Sequence, residues 1–291
     1  MKKTFTKMGT IIVLIVLLLN IFIPVISQAV DVVKTVDGKT TIAFNDKQLA
    51  DKVIAQLKKE EISITTGSDQ ASGATLVTLE YSDLIKISDL DLSTEDGKER
   101  TVINDLTGLR AFTGLTHLRL DNCDLSECGL SELEYLKDTI WSLSLDNTNI
   151  SSISTISKLT KLRNLSIEAN KITNLDDLKV LTGLKKLYLD GNKNLTDLSA
   201  LKDLTNIIVL SARSCKITDD TLKNLQKLPL TDLRLDYDIN LTYAGIGNIY
   251  SSTNKDTLEI LSLVGIEGIS RPNEIVKFEK LQKLYIRRYW T

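Results

Sequence analysis

Apolar residues recur along this chain at a fixed spacing. Aligned on Ile140, Leu162 and Leu184, three segments read IWSLSLDNTNI, LRNLSIEANKI and LKKLYLDGNKNL, with starts 22 residues apart. The shared pattern is L-x-x-L-x-L-x-x-N-x-L. It returns at Leu115, Ile207, Leu230, Leu258 and Leu281, and a degenerate copy begins at Ile87. Positions four and six alternate with polar residues, which predicts a short strand with two side chains turned inward. Position nine is expected to turn the chain, its side chain bonding inward backbone groups. That column reads Cys123, Thr148, Asn170, Asn192, Cys215, Asp238 and Ile266. Apolar residues further on, such as Ile172, Leu175, Leu178 and Leu181, predict a packed return segment. No copy can bury its apolar face alone, so stacked neighbours build one continuous core.

The pattern is that of the leucine-rich repeat. It predicts an α/β solenoid with a parallel sheet on the concave face and 3₁₀ turns or short α-helices on the convex face. The copies starting at 115, 207, 230 and 258 run 25, 23, 28 and 23 residues. Within the 207 copy, SCKITDDTLKNL reads as a class with a true convex helix, while the 22-residue copies read as 3₁₀ turns.

The ends divide the chain further. Residues 1–29 read as a signal peptide. Lys2, Lys3 and Lys7 precede an apolar run from Ile11 to Ile23, Pro24 breaks it, and Ser27-Gln28-Ala29 suits cleavage after Ala29. The run is short for a spanning helix, so no membrane span is expected after cleavage. Residues 30–86 read as a small helical cap. Asn45 or Asp46 would cap a helix running to about Lys59, with Leu49, Val53 and Leu57 on one face. Residues 66–74 read as a polar loop, and Thr78 to Leu84 as a second short helix. Residues 87–291 are the repeats, about nine copies, the first degenerate and the last incomplete.

Composition narrows the function. Net charge is −2, which argues against a nucleic-acid partner. The one histidine, His117, excludes sites that need two. Leucine is abundant at 48 residues while aromatics make up 5%. Three cysteines is an odd number for an exported chain. The repeat register sets Cys123 and Cys215 roughly 19 Å apart, too far for a disulfide. With Cys128 on an apolar position, three buried thiols are expected. Gly38-Lys39-Thr40 lacks the earlier glycine of a phosphate loop, and DLDLSTEDG (89–97) fails as a calcium loop. No G-x-S-x-G elbow appears. No enzyme, cofactor or metal is expected.

The chain resembles the internalin-like secreted leucine-rich-repeat proteins of Gram-positive bacteria. The resemblance rests on the leader, the small cap, INDLTGLRAFTGLTHLRL and the near-ideal run from Leu159 to Leu204, and covers roughly residues 40–291. It implies a secreted or cell-surface protein that binds a protein ligand, with roles in host interaction or adhesion. The other reading is a wall-associated structural or glycan-binding module.

A partner would meet the solvent-facing strand positions three, five and seven. Column seven carries Asp121, Asp146, Glu168, Asp190, Arg213 and Asp236, and column five carries Tyr188 and Arg234. The acids read either as a strip for a basic partner or cation, or as a solvated face. Tyrosine and arginine are enriched at interface hot spots. The expected partner-binding set is therefore Asp146, Glu168, Tyr188, Asp190, Arg213, Arg234 and Asp236.

Overall fold

A computed structural model describes residues 32–250, 253–269 and 278–286. The leader at 1–29, and Arg287 and Arg288, lie outside the described residues.

The cap carries more strand than its sequence suggested. β1 (Val33–Val36) and β2 (Lys39–Phe44) form a hairpin, followed by α1 (Lys47–Lys59), β3 (Ile64–Ser68), β4 (Thr75–Glu80) and a single helical turn, α2 (Tyr81–Leu84). The four strands pair antiparallel in the order β1-β2-β4-β3. α1 starts where expected: Asp46 accepts the Leu49 N–H at 3.0 Å, and Leu49, Val53 and Leu57 are buried. The helix expected over Thr78 to Leu84 forms only at Tyr81–Leu84; Thr78–Glu80 end β4, because Val77 and Leu79 alternate inward with period two.

Each repeat contributes a three-residue strand at positions three to five. β5 (Asp89–Asp91), β7 (His117–Arg119), β9 (Ser142–Ser144), β10 (Asn164–Ser166), β11 (Lys186–Tyr188), β12 (Val209–Ser211), β13 (Asp232–Arg234), β14 (Ile260–Ser262) and β15 (Lys283–Tyr285) form one nine-stranded sheet in chain order. Every pairing in it is parallel. β6 (Thr101–Val102) and β8 (Cys123–Asp124) pair separately. Position four is a leucine in all nine strands and is buried from Leu90 to Leu261. Burying each such side chain contributes about 1.5–3 kcal/mol. At the end strand, Leu284 is 38% exposed because no described strand packs beyond it.

The convex side differs from expectation in one place. The 22-residue copies carry 3₁₀ turns at Thr155–Lys158 and Asp176–Val180, as their length predicts. The 207 copy also carries a 3₁₀ turn, at Thr221–Leu225. The convex α-helix, α3 (Tyr243–Tyr250), sits in the copy starting at Leu230, whose 28 residues leave room for two turns. Two convex segments are tied by Arg110, which bonds Glu132 through Nε at 2.8 Å and stacks on the Tyr135 ring at 3.9 Å.

The turn itself falls one residue earlier than the pattern suggests. Position eight is left-handed in seven copies: Asn122, Asn147, Ala169, Gly191, Ser214, Tyr237 and Gly265 all have φ between 51° and 73°. Alanine is a poor residue there, since its Cβ crowds the backbone. Ala169→Gly is therefore expected to stabilise the protein by about 0.5–1 kcal/mol. Urea denaturation tests this, and an unchanged or lower midpoint would count against it.

Candidate functional site

Position nine works as the sequence implied. Asn192 is fully buried; its Nδ2 donates to the carbonyls of Ile167 and Leu189 at 2.9 and 2.6 Å, and its Oδ1 accepts the Ile172 N–H at 3.0 Å. Asn170 bonds in the same way, and Thr148, Cys123 and Cys215 supply weaker donors. Burial pushes the Cys215 thiol up to about 12. All three cysteines are free, as expected, with Cys128 half-buried against the core rather than within it.

The acidic column has a role that neither sequence reading anticipated. Asp121 accepts the Ser144 hydroxyl at 2.6 Å and the Asp146 N–H at 2.9 Å. Asp146 accepts the Ser166 hydroxyl at 2.7 Å and the Glu168 N–H at 2.7 Å. Asp190 takes the Ser211 hydroxyl at 2.6 Å, the Arg213 N–H at 2.8 Å and the Arg213 Nε at 2.6 Å. Asp236 takes the Ser262 hydroxyl at 2.6 Å and the Val264 N–H at 2.8 Å. Each aspartate thus clamps the strand of the next copy and satisfies the N–H just past that strand's end. Asp190 and Asp236 are only 9% and 5% exposed, so this column is not a solvated acidic face.

The sequence follows the clamp closely. Wherever position seven is aspartate, position five of the next copy is serine. Where it is not, the serine is missing too: Glu168 precedes Tyr188, Arg213 precedes Arg234, and Val264 precedes Tyr285. The first two of these open rungs flank the Asp190 clamp. They place Glu168, Tyr188, Arg213 and Arg234 together on the concave face.

Electrostatics set these side chains apart. Burial, with repulsion from Asp190 and Asp146, raises Glu168 to about 7. Burial also raises Asp146, against the pull of its Ser166 and Glu168 bonds. Tyr188 is half-buried and raised by burial and by Asp232. Arg213 leans on Asp190, with Asp236 at 4.0 Å. Arg234 grips Asp232 through both Nε and Nη2, at 3.0 and 2.9 Å. Paired arginines of this kind present a fixed guanidinium plane. Of the seven expected residues, Asp146, Asp190 and Asp236 are therefore engaged in clamps. The other four surround them. Asp232, which the sequence analysis did not single out, holds Arg234. At the opposite end of the sheet, His117 packs edge-on against Trp141, ring centres 4.5 Å apart, and its Nδ1 lies 2.9 Å from the Thr116 hydroxyl. Among the described residues, no group of three or more His, Cys, Asp or Glu side chains could hold a metal ion. No described helix is long and apolar enough to cross a membrane.

Comparison with solved structures places this geometry in a class. Internalin C2 of Listeria monocytogenes aligns with TM-score 0.62 and 24% identity, covering 84% of this chain and 94% of that one. A second Listeria internalin, inlF, aligns with TM-score 0.56 and 21% identity over 84% of this chain and 76% of that one. A Leptospira interrogans leucine-rich-repeat protein aligns with TM-score 0.53 and 23% identity over 70% and 56%. The chain has an internalin-like leucine-rich-repeat fold. Among curated proteins, a probable serine/threonine-protein kinase of Dictyostelium discoideum, pats1, is 32% identical over 228 residues. The match covers 73% of this chain but only 7% of that protein's length. No family model matches the chain.

Proposed function

We propose that this is a secreted or cell-surface binding protein, not an enzyme, which recognises a protein partner on its concave face. Residues 1–29 act as the export signal, 30–86 cap the solenoid, and 87–291 form the recognition module. The partner contacts Glu168, Tyr188, Arg213 and Arg234, while Asp146, Asp190 and Asp236 hold the strands beneath them in place. The observation that carries this reading is the clamp pattern. It is kept at four rungs and abandoned at three, two of which flank the Asp190 clamp and carry larger side chains instead. Tyr and Arg anchors are common hot spots. The internalin-like fold adds support, as does the expectation that a wall-bound glycan would need closely spaced aromatic platforms. Tyr188 and Tyr285 stand four strands apart, roughly 19 Å.

The test is capture of surface-protein fractions from host cells and bacteria on the immobilised protein, at low and physiological salt. A saturable partner is expected, and the Tyr188→Ala/Arg234→Ala double variant should lose at least about 30-fold in affinity. A partner bound equally well by the double variant, with its circular dichroism unchanged, would place recognition elsewhere.

A further inference from the structure

Every polar residue before Asp238 in the position-nine column donates a hydrogen bond to a position-six carbonyl. Cys123 Sγ reaches Leu92 O at 3.5 Å, Thr148 Oγ1 reaches Leu145 O at 2.8 Å, and Asn170 Nδ2 reaches Leu145 O at 2.7 Å. Asn192 Nδ2 reaches Ile167 O at 2.9 Å, and Cys215 Sγ reaches Leu189 O at 3.5 Å. A thiol, a hydroxyl and an amide all supply a proton for this bond. A carboxylate cannot.

Asp238 occupies the next place in the column. Its side chain is completely buried, and neither carboxyl oxygen makes a well-formed hydrogen bond; the Ile217 and Cys215 N–H groups lie near enough to pull its pKa down, but burial outweighs them. The sheet register sets it opposite the carbonyls of Ala212 and Leu235, the counterparts of those bonded by Asn192. On its other side lie the N–H groups of Cys215 and Ile217, the counterparts of those bonded by Asn170. The surrounding charges do not favour an anion. Asp190 and Asp236 are acids, Cys215 is a neutral thiol, Arg213 is engaged by those two aspartates, and Ile266 in the following copy is apolar.

We propose that Asp238 is a protonated carboxylic acid in the native protein, its O–H taking the place of the ladder asparagine's N–H, so that the C-terminal repeats loosen as pH rises. Burial, aided by Asp190 and Asp236, raises this group to about 8, well above the ordinary 3.8. Because the folded value exceeds the unfolded one, the stabilisation is complete below about pH 4. It is lost progressively up to about pH 8, and is flat beyond. The unfolding equilibrium should rise up to about tenfold per pH unit across that window. The affected copy carries Arg234 and Asp236, so loosening there also disturbs the concave patch.

Urea unfolding of the full chain from pH 5 to 9 tests this. Glu168 also titrates near 7, so the comparison is made in a Glu168→Gln background. Asp238→Asn should flatten the pH profile there, since the amide supplies the donor at every pH. Asn192→Asp should steepen it by creating a second buried acid in the ladder. An infrared difference spectrum at pH 6 should show one protonated-carboxyl stretch that Asp238→Asn removes. An unchanged pH profile in Asp238→Asn, or no such stretch at pH 6, would overturn the proposal.

Discussion

Asn192→Leu is expected to cost about 3–5 kcal/mol, among the largest effects of any single polar substitution in this chain. Asn192 satisfies two carbonyls and one N–H, drawn from two adjacent copies and buried between them. Leucine fills similar space but leaves the Ile167 carbonyl and the Ile172 N–H without a partner, at about 1–3 kcal/mol each, and strips the Leu189 carbonyl of its best donor, leaving it the Asn192 N–H and the Cys215 thiol. The loss also falls where solenoid stability is decided, at the interface between neighbours. For a chain of this size it should lower Tm by roughly 10 °C. Calorimetry checks it. A loss under about 1 kcal/mol would mean that water or a shifted turn takes over the asparagine's bonds.

The repeat was legible because each copy repeats one set of inward positions, and nine copies leave little freedom in register. The ladder column was legible for the same reason. The cap was harder. Thr75–Glu80 alternates for only six residues, and so short a run does not separate strand from helix by period alone. The positive-φ column was masked by its composition. Gly191, Gly265, Asn122 and Asn147 signal a left-handed turn, but Ala169, Ser214 and Tyr237 in the same column do not.

The candidate site shows a different limit. Its residues were found because they are charged or aromatic on the exposed side of the strands, and that logic treated all acids alike. The clamp distinguishes them. Asp190 and Ser211 lie 21 positions apart, in different copies and different columns, so no local pattern links them. The pairing of aspartate at seven with serine at five is visible in the sequence once adjacent copies are laid side by side. Reading it requires knowing that a position-seven side chain reaches across to the strand of the next copy.

The clamp makes a prediction that separates scaffold from recognition surface. Asp190→Ala removes acceptors for the Ser211 hydroxyl, the Arg213 N–H and the Arg213 guanidinium. The hydroxyl and N–H bonds are charge-assisted, and both donors are near buried surface, so about 2–4 kcal/mol of stability should be lost. Asp190→Asn should recover part of this, since its oxygen can still accept. Glu168→Gln, by contrast, removes a charge that burial and two neighbouring acids already disfavour. It should leave stability at pH 7 unchanged or slightly raised. If both acids instead faced solvent as members of one screened acidic strip, both variants would fall within about 0.5 kcal/mol of the parent. Chemical denaturation of the three variants side by side decides between these outcomes. A near-neutral Asp190→Ala would return the whole column to the partner-binding surface.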